Sequence, residues 1–180
     1  SVKITEIIEA GQKTAFFAEE LGLTAREMGQ LKQAGKLEGA IANNLERIAN
    51  NAALRESHEL FKNAQNFLKS YTKEFMPEAK CRDLIHESGI PTFPKPIGIP
   101  ENFRVKISDK GAGMLYVHSE HTRTSIRVMP GKPHSPFPHQ QKPYIIQTKD
   151  GNIIDKLGNI VESSSPEAHI SLDNFVYLKD

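Results

Sequence analysis

The chain has 180 residues, 38% of them hydrophobic and 25% charged, with a formal net charge of +1. That length suits one domain of roughly 100–200 residues, or one compact domain with a helical attachment, and it buries a core without help. A single cysteine, Cys81, excludes a disulfide framework, and apolar runs of only a few residues exclude a transmembrane helix, which needs about 18.

The chain starts at Ser1 with neither a basic start nor a hydrophobic signal core, so it is expected to be a piece of something longer, or trimmed, rather than a secretory precursor. Ile4, Ile7, Ile8, Phe16, Phe17 and Leu21 recur at helical spacing and predict an amphipathic helix ending near Gly22. Thr24-Ala25-Arg26-Glu27 has the form of a capping box, whose hydroxyl and carboxylate satisfy the free amides of a new helix start. Leu37, Ile41, Leu45, Ile48 and Ala52 keep the same spacing. Leu60, Ala64, Phe67, Leu68, Tyr71 and Phe75 resume it, so one long helix or two run up to a stop at Pro77. Residues 78–88 predict a last helix, with Gly89 as its terminator.

The composition changes at Ile90, where Pro91, Pro94, Pro96 and Pro100 forbid helix and predict a linker over 90–102. Phe103 to Ile107 then alternates apolar and basic residues, as a half-buried strand does, and Gly111-Ala112-Gly113 reads as a turn. Met114 to Val117 and Thr124 to Met129 predict two more strands, followed by a proline-stiffened, ordered loop from Pro130 to His139. Tyr144 to Thr148 pairs back through Asp150-Gly151 to Asn152–Asp155, and Ile160-Val161 continues the meander after a turn at Leu157-Gly158-Asn159. Ala168 to Tyr177 supplies an edge strand or a short terminal helix. The expected architecture is α+β: a helical region over 1–89, a Pro-rich linker over 90–102, and a small twisted antiparallel sheet over 103–180.

The near-zero net charge hides an asymmetry. Residues 104–149 hold 8 Lys and Arg against two acids, Asp109 and Glu120, whereas residues 150–180 hold 2 against 6. Four of the seven histidines, His118, His121, His134 and His139, fall within this basic third. Histidine takes and gives a proton near neutrality, and fixed cations attract phosphate. A base, an acid and a cation are what metal-independent RNA cleavage requires: the 2′-hydroxyl loses a proton, the 5′-oxygen gains one, and a phosphorane is held. His118 and His121 are the candidate base and acid, and Arg123 and Arg127 the phosphate stabilisers. Ser125, Lys132, His134, Ser135, His139 and Lys142 are candidate substrate contacts. On a strand, Arg123, Ser125 and Arg127 share a face, with His118 and His121 expected close to it.

Other readings compete. His118-x-x-His121 with Glu120, His134 and His139 has the donor types of a zinc or manganese site, although residues three apart converge on a helix and this segment lies between strands. No cofactor or metal is expected. No Gly-x-Ser-x-Gly elbow supports a serine nucleophile, and Cys81 in the helical half reads as a buried thiol. On charge alone the basic third is equally a solvated face or a non-enzymatic binding module.

Met-Leu-Tyr-Val-His from Met114, Thr-Ser-Ile-Arg-Val-Met-Pro-Gly-Lys-Pro-His-Ser-Pro from Thr124, Lys-Pro-Tyr-Ile-Ile from Lys142 and Ser-Pro-Glu-Ala-His-Ile-Ser-Leu-Asp-Asn-Phe from Ser165 resemble the C-terminal domain of certain bacterial polymorphic toxins. The resemblance covers about the last third of the chain and is most specific from Arg127 to Pro136. It implies a secreted or contact-delivered warhead that acts in the target-cell cytoplasm and is neutralised by a cognate immunity protein. Commonly such a warhead is a ribonuclease of the barnase, EndoU, colicin and RelE group. That group places helices before an antiparallel sheet. Residues 1–89 would then be a delivery or pre-toxin segment. The reading is a metal-independent endoribonuclease with an RNA substrate and an acidic immunity partner; the alternatives are a metal-dependent DNA nuclease toxin and a basic binding module.

Overall fold

The computed structural model describes residues 29, 30 and 32–178; the helix expected over Ile4 to Leu21 and the capping box from Thr24 to Glu27 lie outside them. The chain separates into two compact units, Ser1–Glu56 and Ser57–Asp180. Helix α1 spans Leu37–Leu68. Its residues from Ser57 onward belong to the second unit, where Phe61, Ala64 and Leu68 are buried at the spacing of one helical face. No helix among the described residues is long and apolar enough to cross a membrane.

The apolar periodicity predicts helix as far as Phe75, but the helix stops at Leu68. A 3-10 turn, Lys69–Tyr71, follows, and Phe75–Met76 form a strand, β1. Pro77 explains the change: the ring of a proline pushes the preceding residue into extended backbone, so Met76 pairs with Val105 instead of closing a helical turn. Helix α2, Glu78–Glu87, starts directly after Pro77 and buries Cys81, Leu84 and Ile85. Gly89 follows at φ 96°, the left-handed position that ends many helices and that a side chain resists.

Strands β2 (Arg104–Ile107), β3 (Met114–Val117), β4 (Ser125–Met129), β5 (Tyr144–Lys149), β6 (Asn152–Ile154) and β7 (Ile170–Ser171) complete a seven-stranded sheet. Its order is β1-β2-β3-β4-β5-β6, every pairing is antiparallel, and β7 joins β5 beside β6. The architecture is α+β. Val105, Tyr116 and Ile126 lie in one register row, Ile107, Met114, Val128 and Ile145 in the next, and both rows are buried. Alternation sends Arg104, Lys106, Leu115, Ser125 and Arg127 to the other face. The core joins the first two rows to Phe61, Ala64 and Leu68 of α1 and to α2, so both helices cover one side of the sheet.

Residues 90–102 are packed rather than free. Ile90, Phe93 and Ile99 are buried in the same core, and the compact unit begins at Ser57, well before the expected linker. Proline here excludes regular structure without excluding burial, because apolar side chains between the prolines still reach the core.

Tyr116 anchors α2 to the sheet. Its hydroxyl donates to Glu78 Oε1 at 2.9 Å, Arg82 Nε donates to the same oxygen at 3.1 Å, and Lys95 Nζ lies 3.5 Å from the other oxygen. Burial works against the Glu78 carboxylate, yet these donors and charges outweigh it and hold its carboxyl below the ordinary 4.5. A depressed folded value contributes stability above the unfolded value, and that contribution fades as the pH falls through the folded one. Glu78→Gln is therefore expected to lower Tm at pH 7, and the gap to the parent should close below about pH 4.5 in thermal melts.

Cys81 sits beneath this cluster with no exposed surface. Burial, with the Glu78 charge, pushes its thiol up to about 11. Native protein at pH 8 should therefore resist a thiol-reactive dye and label stoichiometrically only after denaturation; rapid native labelling would contradict the packing.

Candidate functional site

The β3–β4 connection, residues 118–124, is a closed loop. His118 N donates to Thr124 O at 3.0 Å and Thr124 N donates to His121 O at 2.8 Å. Within it the backbone amides of Glu120 and His121 both donate to His118 Nδ1 at 3.0 Å. With Nδ1 occupied as an acceptor, the ring hydrogen resides on Nε2. The His118 and His121 ring centroids are 4.6 Å apart, and His118 packs on Phe103 at 5.1 Å.

These rings line a cleft of about 360 Å³ with Pro100, Asn102, Phe103, Ser119, Glu120 and Tyr177. Tyr177 comes from the far end of the chain and meets Phe103 at 5.4 Å. It is held there by a parallel bridge between Ile97 and Val176, and its amide donates to Ile97 O at 2.8 Å. Gly98, at φ 91°, permits that approach, because a Cβ would stand 2.5 Å from Tyr177 O. Asn102, Phe103 and Tyr177 were invisible as site residues in the sequence: two of the three read only as strand or chain-end apolar positions.

Arg123 belongs to the same loop and reaches over the β5–β6 turn, where Gly151 N donates to Arg123 O at 2.9 Å and leaves room for its guanidinium. Ser125 and Arg127 do not join the histidines. Strand parity places His118 on the helix-covered side with Tyr116, and Ser125 and Arg127 on the opposite side. Arg127 lies three residues beyond Thr124, about 10 Å along the strand. There its Nη1 donates to Ser108 Oγ at 2.7 Å and Asp109 Oδ1 at 2.9 Å. Burial opposes the Asp109 charge, but the Arg127 hydrogen bond and charge hold its carboxyl below the ordinary range. Arg127 clasps the β2–β3 turn.

Lys132, His134, Ser135, His139 and Lys142 sit at the other end of β4, in the ordered loop that precedes β5. Ser135 is buried, donates to Gln140 Oε1 at 3.0 Å and accepts from Phe137 N, so its hydroxyl holds the loop. His134 bonds Ser57 Oγ at 3.0 Å and packs on Phe61 and His58 of α1. Burial, then the His58 and Lys132 charges, lowers its pKa. Burial likewise lowers Lys132. His139 pairs with His169 at 4.5 Å, and Tyr144 adjoins His169. Lys142 is exposed.

The ten sequence candidates thus divide by the length of one strand: His118, His121, Arg123 and Ser125 at one end, Arg127 midway, and the other five in the loop at the far end. Among the described residues, no group of three or more His, Cys, Asp or Glu is placed to hold a metal ion. The first cluster combines two imidazoles, one with a fixed tautomer, at an open cleft, with Arg123 in the same loop and its guanidinium over Gly151 of the β5–β6 turn. Such a set can move a proton and hold an anion. No protein-family model, curated protein or solved structure matches the chain.

Proposed function

We propose that the second unit is a bacterial toxin domain that cleaves RNA without a metal, at the His118–His121 cleft. The observation that carries this reading is the histidine pair: two rings 4.6 Å apart, one with Nδ1 held by two backbone amides, at the mouth of a cleft. The tautomer divides the labour. His118 Nε2 carries a hydrogen and has no lone pair for a second, so His121 takes the 2′-hydroxyl proton. The 2′-oxygen attacks phosphorus, the bond to the 5′-oxygen breaks, and His121 returns the proton to that oxygen, leaving a 2′,3′-cyclic phosphate. His118 Nε2–H and Arg123 donate to the phosphorane oxygens throughout.

The resemblance to polymorphic toxins in the last third of the chain supports delivery into a target cell and an immunity partner. A partner that covers the basic third would present acidic side chains, since opposite charge steers docking. The test is purified protein with total RNA, with and without EDTA, resolved on a denaturing gel. Fragments ending in cyclic phosphate that persist in EDTA are expected. Intact RNA in all lanes, or cleavage that EDTA abolishes, overturns the reading.

A further inference from the structure

A second cleft of about 360 Å³ adjoins the first, with Pro100 and Phe103 common to both. Its outer wall is Phe75, the residue that leaves the helical pattern to pair with Lys106 on the edge strand β1. The Phe75 ring is 38% exposed although it is a large apolar group, and two cations cover it. Arg104 Cζ stands 3.7 Å from the ring centroid and Lys106 Nζ 5.3 Å. Neither cation is ion-paired among the described residues; of the two acids that line the cleft, Glu78 is already engaged by Tyr116, Arg82 and Lys95, and Glu101 is exposed.

A part-exposed aromatic ring with Arg104 beside it in the cleft and Lys106 at its rim, next to the proposed proton-transfer site, matches the needs of one ligand class. Single-stranded RNA offers unstacked bases for an aromatic or guanidinium plane and phosphates for the cations. A duplex keeps its bases stacked and cannot offer them. We infer that the Phe75–Arg104 cleft binds an unstacked base of single-stranded RNA next to the bond cleaved at His121, which rests on the proposed nuclease reading. The two clefts share Pro100 and Phe103, so a strand that seats a base against Phe75 runs over this common wall toward the histidines. The subsite therefore makes the domain selective for loops and unpaired ends.

The test uses the full chain carrying His118→Ala and His121→Ala, so that RNA survives, and follows a fluorescently labelled single-stranded RNA and its duplex by anisotropy. Adding Phe75→Ala should weaken single-strand binding about tenfold or more and leave the weaker duplex binding unchanged. Phe75→Trp, which keeps a ring, should restore it and guards against a folding defect. Arg104→Ala should flatten the salt dependence by about one phosphate contact. Equal single-strand affinity with and without the Phe75 ring overturns the subsite while leaving the nuclease reading intact. Failure of the parent to bind or cleave RNA overturns both.

Discussion

On the proposed ribonuclease reading, His121→Ala is expected to lower the first-order rate of RNA cleavage by about 10²–10⁴-fold, the range for loss of a positioned proton-transfer group. His118→Ala should cost about 10²–10³-fold, as for one fixed donor to a developing oxyanion, because its Nε2–H contributes a hydrogen bond rather than a base. The two losses rest on different geometry. His118 is pinned by the amides of Glu120 and His121, while His121 is exposed and oriented by its ring contact with His118. Arg123→Ala should fall in the same range as His118→Ala. Arg127→Ala separates this site from the one expected from the sequence alone. Its guanidinium holds Ser108 and Asp109, so cleavage should stay within a few-fold of the parent. Single-turnover rates on one labelled RNA measure all four, and a loss at Arg127 as large as that at His121 would move the site to the open face of the sheet.

Ile126→Ala is expected to lower the unfolding free energy by about 2–5 kcal/mol, the usual cost of emptying a fully enclosed aliphatic site. Ile126 has no exposed surface, is the second residue of β4, and lies opposite Tyr116 on one side and Gln147 on the other. Both neighbours are fixed by strand pairing, so the cavity has little means of closing. The urea midpoint should fall with the slope unchanged. At low temperature, where the variant stays folded, cleavage should persist, because Ile126 lies outside the 118–124 loop and does not line the histidine cleft. A shift in midpoint below the equivalent of 1 kcal/mol would show that the core repacks around the hole.

The strands were legible because their pattern is local: Met114 to Val117 and the alternation around Arg127 survive in the sheet almost residue for residue. Phe75 was not. It lies four residues beyond Tyr71, in phase with the helix, and only the backbone restriction imposed by Pro77 removes it from that helix. The segment between Ile90 and Asn102 read as a linker because proline density signals irregular backbone, whereas burial of Phe93 and Ile99 depends on partners distant in sequence. The candidate site was half legible for a topological reason. Clustering of His118 through His139 along the chain suggests one location, but an antiparallel strand between two loops carries them to opposite ends of the sheet. Phe103 and Tyr177, which build the cleft wall, are brought together by a bridge from Ile97 to Val176 that no local pattern announces.

The sheet's margins are short. β1 has two residues, β6 three and β7 two, and the outer side of β5 is shared between β6 and β7. A long open margin invites another chain to add a strand through its main chain, a route to aggregation and to promiscuous pairing. Margins this brief give an incoming strand too few amides and carbonyls to register against. A protein that docks here is consequently chosen by side chains on loops and faces, where one substitution changes fit, and recognition can diversify without disturbing the fold.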